Sequence, residues 1–184
     1  MQGIPLNERK RLGALLDDRP QTEVMAMIPQ FSQAETDNFV APPAQIPEAL
    51  GVLMFNMERG VNLPEIQEFL RDCPDIQPFD VILANELDDG CARSGNKNTA
   101  RELAQAFGLN YAWGLEFIEL VNDENAKGFH GNAVFSRWPI RRAGVIRLPE
   151  QYNWYFDRQK RIGGRLAVFA ELDVGGQPVG AVSI

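Results

Sequence analysis

Histidine is nearly missing from this chain: His130 is the only one in 184 residues. A lone imidazole is a poor basis for a metal centre, and it limits the sites at which proton transfer near neutral pH can rest on histidine. Cysteine is almost as scarce. Cys73 and Cys91 form neither a disulfide framework nor a zinc-type spacing. No apolar run approaches the roughly 20 residues of a membrane span, and neither a GxGxxG turn nor a phosphate-binding P-loop is present. Internal repeats are absent too. The amino terminus lacks the charged, apolar and small-residue order of a secretion signal, so a soluble, cytoplasmic protein is the expectation.

What is present suffices for one buried domain, since 45% of the residues are hydrophobic. A formal net charge of −7 argues against a general nucleic-acid-binding surface, which is normally basic. The charge is uneven, however. Arg137, Arg141, Arg142, Arg147, Arg158, Lys160, Arg161 and Arg165 face only Glu150 and Asp157 in the same stretch, with Tyr152, Trp154, Tyr155 and Phe156 among them. Such a mixture suits phosphate and base or sugar contacts. It suits equally well an edge strand and loop with solvated charges around a partly buried aromatic anchor.

Three regions follow along the chain. Residues 1–18 predict an amino-terminal helix with Leu6, Leu12, Leu15 and Leu16 near one face and Arg9-Lys10-Arg11 on the other. Residues 19–48, interrupted by Pro20, Pro29, Pro42, Pro43 and Pro47, predict a linker or loosely packed arm with at most a turn of helix. Residues 49–184 hold the alternating elements of an α/β domain. Within them, 63–73 and 99–107 predict helices, the second capped by Asn98 or Thr99 and ended by Gly108. Strands are expected at 111–120, 132–136, 141–148, 166–174 and 179–184, the last two joined at Gly175-Gly176.

The most informative stretch is 50–90. Val52-Leu53-Met54-Phe55 and Val81-Ile82-Leu83-Ala84 are unbroken apolar runs around the 63–73 helix, which predicts parallel strands buried on both faces in a βαβ unit. Each run breaks into polar residues, Asn56-Met57-Glu58-Arg59 and Asn85-Glu86-Leu87-Asp88-Asp89. A right-handed crossover brings both breaks to one sheet edge, where open α/β folds bind ligands. Asn56 and Glu86 match the sparse oxygen set of magnesium, which leaves further positions to water and substrate phosphate. Spacing alone leaves open that Asn56 merely opens a turn and the acidic residues solvate a loop.

Four segments, in order, resemble the endonuclease/exonuclease/phosphatase (DNase I-like) family. Leu53-Met54-Phe55-Asn56-Met57-Glu58-Arg59-Gly60 is similar to its opening Asn-x-Glu turn, and Asp80 to Asp88 to the strand that ends in a metal-binding glutamate, with Asn85 where glutamine is usual. The run from Gly128 to Ile140 resembles the Gly-x-x-Gly-x-Ala-x-x-Ser-Arg-x-Pro strand, and that from Gly164 to Leu172 the strand whose arginine lies near the scissile phosphate. The resemblance implies the first half of a four-layer α/β sandwich, a mixed sheet with flanking helices. It implies a Mg2+- or Mn2+-dependent phosphoester hydrolase acting on a nucleic acid, nucleotide, phospholipid or sugar phosphate. Glu86 and Asn56 would hold the metal, Asn56, Glu58 and Glu86 would form the catalytic set, and Arg165, His130 and Asn132 would contact substrate. The family's later His-Leu, Asp-x-Asn and Asp-His elements are absent. The expectation is therefore a partial domain with little activity alone, an apolar sheet face lacking its second half, and a non-catalytic binding or assembly module as the alternative.

Overall fold

The computed structural model describes residues 1–150, 152–157 and 159–184; Arg158 of the basic stretch lies outside them. Two sheets pack face to face, and helices cover the outer side of the larger one. That sheet runs β1 (Ala34–Asp37), β4 (Asn110–Glu119), β5 (Phe129–Ser136), β3 (Val81–Asp89), β2 (Val52–Arg59), with β7 (Arg161–Gly163) on the same edge of β4 as β1. The smaller sheet runs β6 (Ile140–Arg147), β8 (Leu166–Val174), β9 (Gln177–Ser183). The expected mixed α/β architecture is thus observed. β2 and β3 are parallel and the other pairings antiparallel.

Alternation along the strands divides the core. Tyr111, Trp113, Leu115, Ala133 and Phe135 face Leu63 and Leu70 of α3 (Leu63–Asp72) and Leu103 and Ala104 of α4 (Thr99–Phe107) in one cluster. Ala112, Val134 and Val81 face Val168, Ala170 and Leu172 of the small sheet in the other. Asn98 caps α4 by accepting the Arg101 N–H at 2.9 Å, and Gly108 closes it in the left-handed region, as the sequence predicts. Gly131 permits β5 to cross β4 closely, since a Cβ there would collide with the Gly114 carbonyl.

Two expectations need correction. First, β2 is not buried on both faces: it is the sheet's edge, and Val52 and Met54 are 56% and 74% exposed. Paired register places Val52 and Met54 on the face of Val81 and Leu83. The small sheet covers that face over β3 and stops short of β2, so hydrophobicity alone overstated the burial. Val182 and Ile184 of the neighbouring region are exposed as well.

Second, much of the segment 19–48 is packed rather than linking. α1 (Leu6–Ala14) and α2 (Gln21–Ala26) bring Leu12, Leu16, Val24, Ile28 and Phe31 into the larger core, and β1 extends the sheet. Polar staples fix this arm. Arg9 donates to the carbonyls of Lys127 and Asn125 at 2.9 and 2.6 Å. Gln21 donates to Arg161 O and accepts from Gly163 N, both at 3.0 Å, completing the edge of β7 as a strand would. Prolines break the periodicity here without breaking the burial. Within this arm, the stretch from Asn38 to Gly51 is mostly exposed and without a regular element.

Candidate functional site

Both parallel strands bulge at their carboxyl ends. The β2–β3 register shifts between Asn56 and Arg59, and the β3–β5 register between Ala84 and Leu87. Glu58 (φ +46°), Arg59 (φ +67°) and Glu86 (φ +56°) take left-handed backbone there, at a cost of ~1–2 kcal/mol for a residue with a Cβ. Bulges re-aim side chains. Asn85, the register partner of Asn56, bonds through Nδ2 to Ile184 O at 2.5 Å. Glu86 is the next residue, so Asn56 and Glu86 stand at the same end of neighbouring strands. Asn56 Oδ1 accepts the Glu58 N–H at 2.8 Å, which fixes the turn. Glu58 itself is exposed, and neither its carboxylate nor that of Glu86 has a hydrogen-bond or ion-pair partner among the described residues.

Asn132 is joined to this rim, in a role the sequence did not indicate. Its Oδ1 accepts the Glu86 N–H at 3.2 Å, so it holds the bulge that aims Glu86. Asn132 is only 3% exposed.

His130 and Arg165 belong to a second, buried array. His130 Nδ1 lies 2.8 Å from Asp88 Oδ1, and Arg93 grips the same carboxylate through Nε at 2.7 Å and Nη2 at 2.9 Å. Burial alone would raise the Asp88 carboxyl; hydrogen bonds from Arg93 and His130 outweigh it and hold it below its usual value. An ionised Asp88 can only accept, which assigns the Nδ1 proton to His130. Across the ring, His130 Nε2 faces Glu116 Oε2 at 3.8 Å, beyond hydrogen-bond reach, and that buried oxygen has no partner. Glu116 Oε1 receives Arg165 Nη1 at 2.8 Å, and the Arg165 guanidinium lies over Trp154 and Phe117, 5.1 and 5.8 Å from their ring centres. Glu119 continues the array by bridging Arg93 and Arg161 at 3.1 and 2.8 Å.

The sequence therefore selected residues of two connected arrangements and missed the carboxylates that organise the second. Glu116 and Glu119 were visible as charges inside an otherwise apolar strand, the one signal available. The basic stretch is also spent largely on internal partners: Arg137 on Asp80, Arg141 on Asp173, Arg142 on Glu171, and Lys160 over the Tyr155 ring.

Among the described residues, no group of three or more His, Cys, Asp or Glu side chains is placed to hold a metal ion. The rim offers a different donor set, the unpartnered carboxylates of Glu58 and Glu86 and the Asn56 amide oxygen with a lone pair to spare. That chemistry fits a hard cation that keeps most of its water.

No protein-family model matches the sequence, and no curated protein does. Solved structures do match the fold. One is an endonuclease/exonuclease/phosphatase from Beutenbergia cavernae DSM 12333, with 21% identity and a TM-score of 0.52 over 72% of this chain and 36% of its own. Another is an endonuclease/exonuclease/phosphatase family protein from Leptotrichia buccalis C-1013-b, with 19% identity and a TM-score of 0.50 over 74% of this chain and 54% of its own. This chain spans about a third to a half of their length. Over the part that it spans, it has the fold of the endonuclease/exonuclease/phosphatase structures.

Proposed function

We propose that this chain contributes the metal-binding half of a phosphoester hydrolase centre, with Glu86 and Asn56 holding Mg2+ or Mn2+. The observation that carries it is Glu86, held in left-handed backbone at a bulge, its carboxylate without a partner among the described residues, at the same strand end as Asn56. Backbone strain of this kind concentrates at functional sites. A bound divalent ion would polarise the phosphoryl oxygens and stabilise the leaving oxygen. The chain's own residues would do the rest: Asn132 positions Glu86, the Glu58 N–H orients Asn56, and Arg165 offers the open part of its fork to phosphate oxygens. His130 orders the adjoining buried array through Asp88. Substrates of this chemistry include nucleic acids, nucleotides, phospholipids and sugar phosphates. Activity of this chain alone would be low, because His130, the one histidine in the sequence, is only 3% exposed and shielded from a substrate water.

The test is hydrolysis of bis(p-nitrophenyl) phosphate and Mg2+ binding by calorimetry, each with the parent chain and Glu86→Ala. Binding lost in the variant, together with chelator-sensitive turnover, is the expected result. Turnover indifferent to chelator removes the metal assignment. A second reading, a non-catalytic binding or assembly module, is favoured by the exposed apolar residues Val52 and Met54 on the edge strand β2. It predicts metal binding without turnover.

A further inference from the structure

A cavity of about 390 Å³ lies where the amino-terminal arm meets the β6–β8 region, away from the rim of Asn56 and Glu86. Its walls are mainly apolar, from Met25, Ile28, Phe31, Leu148 and Pro149, and Arg147, Glu150 and Arg165 also line it. Volumes of roughly 300–1,000 Å³ with few polar groups are typical of small-molecule sites.

The polar lining decides what fits. Arg147 bonds only to neutral acceptors, the carbonyls of Phe31 (2.9 Å from Nε), Gly164 (3.0 Å from Nη1) and Leu115. Its charge has no carboxylate bonded to it, and burial pulls it down to about 10 despite the nearby Glu116. Arg165 spends Nη1 on Glu116, and the rest of its guanidinium has no hydrogen-bond partner among the described residues. Glu116 thus answers the Arg165 charge, and Glu150 also lines the cavity, so the charge left without a bonded carboxylate is that of Arg147. The one ring in the wall, Phe31, carries the Arg147 guanidinium 4.7 Å above it and is itself buried, so a nucleobase finds no stacking face. An alkyl chain needs none.

We infer that this cavity binds an amphiphilic anion, a single short alkyl chain in the apolar pocket with a phosphate-type head group at Arg147 and Arg165. The site shares Arg165 with the proposed phosphoester centre, but the inference does not rest on that assignment. Ala26 and Thr22, exposed and one helical turn apart on α2, line the same cavity, so bulk can be added there without disturbing the core.

Calorimetry with octyl phosphate below its micelle concentration, inorganic phosphate and 1-octanol tests the inference on the full chain. Octyl phosphate should bind one to one, at least tenfold more tightly than either half-molecule. Ala26→Trp and Thr22→Trp should each weaken it at least tenfold, whereas Met54→Lys on the exposed β2 face should leave it unchanged. The Met25 methyl resonance of the parent chain should shift on titration, a readout that needs no variant. The inference is overturned if octanol binds as well as octyl phosphate, if Met54→Lys abolishes binding, or if the Met25 methyl is unmoved.

Discussion

Two polar arrangements lie side by side on one sheet, and they differ in whether their charges are already answered. In the buried array, Asp88 receives Arg93, His130 and Ser94, Glu119 receives Arg93 and Arg161, and Glu116 receives Arg165. At the rim, Glu58, two residues after Asn56, and Glu86, two before Asp88, carry carboxylates with no partner among the described residues. A buried charge must be paired or the fold loses several kcal/mol, whereas a rim carboxylate remains hydrated and free to meet a ligand. The contrast separates groups that hold the scaffold from groups that await something else. It also explains why His130, attractive in the sequence as the sole histidine, is better understood as part of the frame.

The largest effect expected from this contrast is at Asp88. Asp88→Ala would leave the buried His130 Nδ1–H without its acceptor and Arg93 with Glu119 alone, a loss of up to about 3–5 kcal/mol of the kind seen when one partner of a buried pair is removed, readable by urea unfolding. A change under 1 kcal/mol would show that the array is dispensable. Its pH dependence has a definite sign. Because the folded carboxyl lies below its unfolded value, the contribution is fully present above pH ~4 and is lost as pH falls through the depressed folded value. Acid unfolding of the parent but not of Asp88→Ala should show this component.

Arg165→Ala should come next, at about 1–3 kcal/mol, because Glu116 would keep a fully buried carboxylate with neither oxygen hydrogen-bonded. The effect is smaller than at Asp88 because Arg165 is half exposed and water can reach the gap. Arg165→Lys should restore part of the stability, since an ammonium can still reach Glu116, but not the stacking on Trp154. Full recovery by lysine would make the interaction a simple charge pair.

The difference between the arrangements also marks how far the sequence could be read. Strand and helix positions followed from apolar periodicity and from Asn98 and Gly108, whose signals are local. The rim followed from where the apolar runs of β2 and β3 break. What escaped was anything set by distant pairing. Glu116 meets Arg165 across 49 positions, His130 meets Asp88 across 42, and Arg9 meets Asn125 across 116. Nothing in the residue order of the arm announces that Arg9 donates to the carbonyls of Asn125 and Lys127, that Gln21 pairs with the backbone of β7, or that the Phe31 carbonyl accepts from the Arg147 guanidinium. The edge position of β2 escaped for a related reason: its hydrophobicity is real, but what covers a strand is decided by the other sheet.

The smallest effect on stability should come from Glu86, and its direction is the sharpest discriminator. The residue occupies left-handed backbone at φ +56°, which costs ~1–2 kcal/mol for a side chain with a Cβ, while glycine would return roughly 0.5–1 kcal/mol as added unfolded-state entropy. Glu86→Gly should therefore stabilise the fold by about 0.5–1 kcal/mol, whereas Glu86→Ala, which keeps the strain, should not. Both should lose Mg2+ binding equally. That combination, stability gained as the carboxylate is deleted, is what a strained ligand residue predicts. Should Glu86→Gly and Glu86→Ala both unfold more readily than the parent, the carboxylate would be supporting the bulge itself, and Glu86 would belong with Asp88 in the frame.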